Sequence, residues 1–313
     1  MRQPADTFGI ARGADALRLA GLKEIVAHSS YLEILMAEIT AAAVKALREL
    51  TNCPLMDCKQ ALTEANGDQT QAVEVLKSKF KKVMIKRADN ATSEGKIWIE
   101  SKADGSEAAM IELQCESAPV AGAESFLSLG QQCVKQLLNG PGADSPEALL
   151  AQAAPDAPGK TLKEVYEDVV NTIREKIILA RIARVKGPVG GYVHHDGKQG
   201  VLFQAEGANL LAPVLRDVAM HIAALKPNCT LPEQLPADLV NAERDRLRSE
   251  AQKTGKPESI IEKIVDGQLN VFYSEQGVLA AQPFAKDDSK KVSQALAEAG
   301  LKATDFTRWV LGR

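Results

Sequence analysis

A cysteine that closes an apolar run and a pair of neighbouring histidines are the residues here whose types suit chemistry. Cys115 ends the run at residues 108–115 (AAMIELQC), and His194, His195 and Asp196 lie together in GYVHHDGKQGVL. A thiol beside an imidazole can serve as nucleophile and base, and two imidazoles with a carboxylate can begin a metal site. Their settings argue against both. Neither Cys115 nor His194 has a local catalytic signature, and a cysteine at a strand end is usually a small buried hydrophobe. Adjacent strand residues point to opposite faces, so the two imidazoles should not converge on one ion. His221 sits in an apolar helical pattern and reads as a structural histidine. The phosphate-binding GxxxxGK(S/T) loop, a GxGxxG turn after a strand, the GxSxG elbow and the HExxH helix do not occur. The expectation is a protein that is not an enzyme, with no catalytic residue, no cofactor and no metal.

Composition narrows the partners. Lys and Arg total 38 against 41 Asp and Glu, a formal net charge of -3, so the positive excess that phosphate backbones select is missing. Only 4% of residues are aromatic, which leaves few platforms on which single-stranded bases could stack. Residues 77–87 hold six basic side chains and no acid, but without interleaved aromatics they read as a solvated helix end and linker. Direct nucleic-acid binding is therefore not expected. No stretch approaches the roughly 20 apolar residues that a membrane helix needs. Cys53, Cys58, Cys115, Cys133 and Cys229 form an odd set without CxxC spacing, which fits reduced thiols in a cytoplasmic protein better than disulfides or zinc.

The elements that must carry any function follow from periodicity and punctuation. Residues 1–35 include Asp6, Asp15, Glu24 and Glu33, unlike an acid-poor transit peptide, and read as an extension. Met36 opens MAEITAAAVKALREL and is the expected start of the protein proper. Ala43, Val44, Leu47 and Leu50 then share a helical face, and Asn52, Cys53 and Pro54 break it. Cys58, Ala61, Leu62 and Ala65 mark a second helix ended by Asn66 and Gly67, and Asp68, with Gln71 three residues on, should cap a third. Three helices over residues 36–90 give a small core suited to docking.

A hairpin is expected next, from KIWIES at 96–101 and AAMIELQC at 108–115 around Asp104 and Gly105. Phe126, Leu129, Cys133, Val134 and Leu137 mark a helix, 140–160 a loop with room for one helical turn, and 162–184 one long helix. From Val185 a second unit repeats the hairpin-then-helix order, with its turn at Asp196 and Gly197 and its helix at 210–225. Two helices at 237–253 and 257–272 flank TGK as an antiparallel hairpin, with Leu239, Leu247, Ile260, Ile261, Ile264 and Leu269 as its stripe. A short helix at 292–299 and a strand at 306–311 close the chain. The fold class is α+β: a three-helix module and linker at 36–90, then α/β core subdomains with antiparallel sheets at 91–184 and 185–313, the helical hairpin of 237–272 projecting from the second.

Taken together, LRELTNCPLMDCKQAL at residues 47–62 resembles the N-terminal signature of the elongation factor Ts family. In that signature Leu-Arg, Thr, an apolar pair, Asp and Lys hold fixed spacings. GYVHHDGKQGVL, DVAMHIAALKP, TGKPESIIEKIVDGQLNVF and AQPF are similar in order and spacing to the family's C-terminal half, so the likeness covers nearly everything after Met36. It implies a guanine nucleotide exchange factor that binds elongation factor Tu, GDP-bound and nucleotide-free, and promotes GDP release during translation elongation. It implies a UBA-like first module, with Arg48, Leu55, Met56 and Lys59 at the contact, and it places His194 close to the interface. Leu55 and Met56 could instead close the three-helix core. The family also carries Thr-Asp-Phe-Val after its cysteine, the aromatic acting as a wedge near the partner's magnesium site. Here Ser117, Ala118, Pro119 and Val120 follow Glu116, so acid and wedge are replaced. An aromatic ring buries roughly 150 to 250 Å², and proline offers much less. Either Pro119 acts as a smaller wedge or other contacts carry the exchange. The alternative is a Tu-binding protein that sequesters or chaperones without exchange. A monomer, a homodimer and a two-to-two complex all remain open.

Overall fold

The computed structural model describes residues 39–51 and 53–313. The expected extension over 1–35, the start at Met36 and the helix-breaking Asn52 lie outside the described residues. Two compact units result, one ending at Val83 and the other beginning at Met84.

The first unit is three helices, α1 (Ala41–Thr51), α2 (Leu55–Glu64) and α3 (Gln69–Lys86), the last running on into the second unit. Val44, Leu47, Cys58, Ala61, Leu62, Ala72 and Leu76 form their core, as the helical spacing predicts. The turn into α3 works as the sequence suggests. Asn66 and Gly67 both take positive φ, and Gly67 N–H reaches back to the Leu62 carbonyl at 2.8 Å. Asp68 Oδ1 then accepts the Gln71 N–H at 2.9 Å, a cap worth about 1 kcal/mol.

The second unit is built on two antiparallel three-stranded sheets. β1 (Glu94–Ser101), β2 (Glu107–Cys115) and β3 (Ile177–Lys186) form one, with β2 central. β4 (Val189–Val193), β5 (Gln199–Gly207) and β8 (Leu301–Val310) form the other, with β5 central. Strand alternation sorts their side chains into layers. Ile97, Ala108, Met110, Val189 and Leu202 meet between the sheets. On the outer face of the second, Val201, Phe203 and Ala205 pack on Leu215, Val218, Ala219 and Ile222 of α8 (Pro213–Leu225). On the outer face of the first lies α5 (Glu124–Asn139), with Trp98 beside Phe126 at 5.9 Å. Between β2 and β3 the chain also forms α4 (Ala118–Ala121), α6 (Pro146–Leu150) and α7 (Leu162–Ile173).

The expected single helix over 162–184 is wrong. A Thr161–Glu164 capping box starts α7, but Arg174 adopts φ 62° and ends it, and the chain re-enters the first sheet as β3. The residues Ile177 to Val185 are rich in β-branched side chains that favour an extended chain, and Ile177 and Leu179 bury on the sheet's helical side. β8 likewise begins five residues earlier than expected.

α9 (Ala237–Gln252) and α10 (Glu258–Glu275) pair as the expected helical hairpin around Gly255, which has φ 69°. Their seam is Leu247, Ala251, Ile261, Val265 and Leu269. Leu239 and Ile260, expected in that stripe, are instead exposed. A small hairpin, β6 (Pro283–Phe284) with β7 (Asp287–Lys291), and α11 (Val292–Glu298) lead into β8.

Candidate partner interface

The four residues expected at a contact in the first unit all face outward. Pro54 precedes α2 and accepts the Asp57 and Cys58 N–H groups, so the helix starts with Leu55 and Met56 on its first turn. Cys58, Ala61 and Leu62 supply the buried face. Leu55 is 50% and Met56 72% exposed, and Arg48 and Lys59 are exposed as well. The alternative in which Leu55 and Met56 close the core is thereby excluded, because that core is filled without them. Leu50, also expected on the buried face of α1, is exposed too.

Ser117, Ala118, Pro119 and Val120, the residues expected to stand where a wedge would be, lie just past the end of β2. Ser117 is extended and precedes the single turn of α4, in which Ala118 and Pro119 are exposed and Val120 half-buried. Ser117 Oγ donates to the Glu175 carboxylate at 2.8 and 3.0 Å. One residue earlier, Glu116 accepts from Arg87 Nη1 at 3.0 and 2.8 Å, from Asn90 Nδ2 at 2.8 Å and from the Lys176 backbone N–H at 2.5 Å. Burial opposes its ionisation, but the Lys176 amide, Asn90 and Arg87 outweigh that and hold the carboxyl below its ordinary value. Sequence reasoning passed over Glu116, whose partners are distant along the chain.

His194 sits at the tight turn between β4 and β5, half-exposed. Its Nδ1 lies 3.1 Å from Asp196 Oδ1, and its ring is 4.2 Å from that of His195. The expectation that the two imidazoles diverge is therefore wrong: β4 ends at Val193, so strand alternation no longer governs either residue. The pair gains no third ligand, and no metal-holding group of three occurs among the described residues. Asp196 is held below its usual carboxylate range, first by the Lys198 N–H. Cys115 is fully buried; burial pushes its thiol up to about 11, and its S–H goes to the Ser117 carbonyl. It is neither ionised at neutral pH nor partnered with His194. His221, as expected, is satisfied in the core: Nδ1 accepts the Ala285 N–H at 3.1 Å, so Nε2 carries the proton toward Gln282 Oε1 at 2.9 Å. All five cysteines are free, and no described helix is long and apolar enough to cross a membrane.

These features define an α+β protein of two units whose distinctive residues present surfaces rather than a converged nucleophile and base. The chain belongs to the elongation factor Ts family. The family model described as Elongation factor TS matches residues 119–313. The elongation factor Ts of Paenarthrobacter aurescens is 40% identical over 284 residues, covering 88% of this chain and 100% of its own. That of Thiobacillus denitrificans is 38% identical over 279 residues, covering 88% and 93%, and that of Aquifex aeolicus 38% over 284, covering 86% and 96%.

Proposed function

We propose that this protein is a guanine nucleotide exchange factor that binds elongation factor Tu–GDP and promotes GDP release during translation elongation in the cytoplasm. The observation that carries the reading is the outward pair Leu55 and Met56, with the exposed Lys59, on a helix whose other face is filled, and a further exposed cation, Arg48, on the helix before it. Large apolar side chains held clear of a packed core are the material of interface anchors. On this reading residues 36–90 are a UBA-like docking module and linker. Residues 91–184 and 185–313 are core subdomains that grip the partner, with the helical hairpin at 237–272 and His194 near the contact. The protein makes and breaks no bond, binds neither nucleic acid nor membrane, and works as a monomer or as a homodimer within a two-to-two complex.

Exchange then follows from linkage. A factor releases GDP only if it binds the emptied or distorted nucleotide site more tightly than the filled one. Whatever factor it removes from the affinity for GDP, GDP removes from its affinity for Tu. The test is release of labelled GDP from the cognate Tu; no acceleration at saturating concentration overturns the reading. Leu55→Ala with Met56→Ala should weaken the complex by about 1 to 3 kcal/mol, roughly 5- to 150-fold.

One observation favours a second reading, a Tu-sequestering or chaperone protein without exchange: Ala118 and Pro119 stand where the family carries its acid and aromatic wedge. That version gives tight complexes and unchanged GDP release, with acceleration appearing only on Pro119→Phe.

A further inference from the structure

The turn Ala118–Ala121, exposed at Ala118 and Pro119, cannot be held by helix formation alone. A four-residue helix is far below the length at which helix formation becomes favourable. Its internal bonds are the N–H groups of Ala121, Gly122 and Ala123 to the carbonyls of Ser117, Pro119 and Val120. Ala118 and Pro119 are exposed and add little packing, so Val120, half-buried, and Ala121, buried, anchor only the far end of the turn.

Its stiffness is supplied from beneath. The Glu116 side chain, 16% exposed, gathers Arg87 and Asn90 from the segment after α3 and the amide that opens β3 at Lys176. Lys176 Nζ in turn donates to the carbonyls of Ala88 and Asn90. Ser117 is tied to Glu175 on the same segment, and the buried Cys115 thiol holds the Ser117 carbonyl. Three chain segments, 87–90, 115–117 and 175–176, are thus bound into one polar knot directly under the turn. A carboxylate accepting charge-assisted and backbone hydrogen bonds from separate segments is the strongest brace available to such a site.

We propose that Glu116 is a positioning residue for exchange: by binding Arg87, Asn90 and the Lys176 amide together, it holds the Ser117–Val120 turn rigid where it meets the partner GTPase. This rests on the exchange-factor reading above. A small proline wedge has no bulk with which to compensate for movement, so it depends on its support more than an aromatic ring would. A slackened support still lets the complex form through the other contacts but fails to distort the nucleotide site. Glu116 therefore governs the maximal release rate rather than the concentration needed to reach half of it.

The experiment is labelled-GDP release from the cognate Tu, measured over a range of concentrations of the full chain and its variants. Glu116→Gln, which keeps the shape but loses the charge that binds Arg87 and turns one of the two accepting oxygens into a donor, should lower the maximal rate by roughly tenfold, with half-saturation moved less than about threefold. Arg87→Gln should reproduce part of that loss and add little to it in the double variant, because the two act as one unit. Glu116→Asp should recover part of the rate. Wild-type maximal rates in both Glu116→Gln and Arg87→Gln, or losses confined to half-saturation, would overturn the proposal while leaving the exchange reading intact. A natural protein that never accelerates release would overturn both. Where a variant unfolds below assay temperature, the other one decides the outcome.

Discussion

The two halves of the larger unit solve one packing problem in opposite ways. Each lays a helix on a three-stranded antiparallel sheet, and in each a glycine admits the close approach. In the first half the glycine is on the helix: a Cβ at Gly130 of α5 would lie 2.4 Å from the Trp98 ring of β1. In the second it is on the strand: a Cβ at Gly190 of β4 would lie 2.0 Å from the Leu215 carbonyl oxygen of α8. A side chain can swing aside, whereas a helix backbone can yield only by moving the helix. The halves differ in polarity as well. The first sheet buries Glu112 completely, with Arg181, Gln114 and the Gly312 N–H as its partners, and Arg181 stacks on Trp309 at 4.7 Å. The second buries no charge on its central strand, whose buried positions are Gly200, Val201, Leu202, Phe203 and Ala205. The first half thus adds a buried charge to its close packing, whereas the second adds the neutral hydrogen bonds of His221.

That contrast orders the expected effects of mutation. Gly190→Ala should be the most damaging, destabilising by about 3 kcal/mol or more because α8 must lift from its sheet. Urea denaturation would measure it, and a loss under about 1 kcal/mol would contradict the backbone-contact argument. Glu112→Ala follows, at about 3 kcal/mol, the low end for a broken buried pair because Arg181 is partly solvated. Gly130→Ala should cost only about 1 to 2 kcal/mol, since the ring can shift and alanine gains about 1 kcal/mol in a helix. Combining it with Trp98→Leu should recover part of that cost, and strict additivity would show that the ring is not the obstacle.

The smallest effect is one of pH. Burial holds His221 below its ordinary 6.5, with the Gln282 hydrogen bond opposing. The unfolded chain therefore takes up a proton near pH 6.5 while the folded one does not. The contribution is complete above that pH and declines as pH falls below it, by at most about 1.4 kcal/mol per unit. His221→Gln should flatten this part of the profile in denaturation measured between pH 7.5 and 5.5; an unchanged slope would remove the assignment.

What the sequence revealed depended on how local its cause was. The reversal between α2 and α3 was legible because Asn66, Gly67 and Asp68 each act on their own backbone. β3 was not, since Val169, Ile173 and Ile177 continue helical spacing across the break, and the left-handed conformation of Arg174 has no compositional mark. The outward placement of Leu55 and Met56 was legible only in part: Pro54 pointed to an exposed turn, but that the core is full without them shows only in the packing. Glu116 could not, because it meets Arg87, Asn90 and Lys176 at separations of 29, 26 and 60 residues. The histidine pair failed for a simpler reason, that the strand stopped one residue short of it.

β8 closes the second sheet and brings the Gly312 N–H to Glu112 in the first, so one sheet gains its third strand and the other its last carboxylate donor from the final segment of this unit. Until it emerges, the nascent chain carries β5 with one edge bare and a carboxylate without its full set of donors. The second sheet is therefore complete only after its final strand is made, and a chain that lacks it exposes an edge open to wrong pairing.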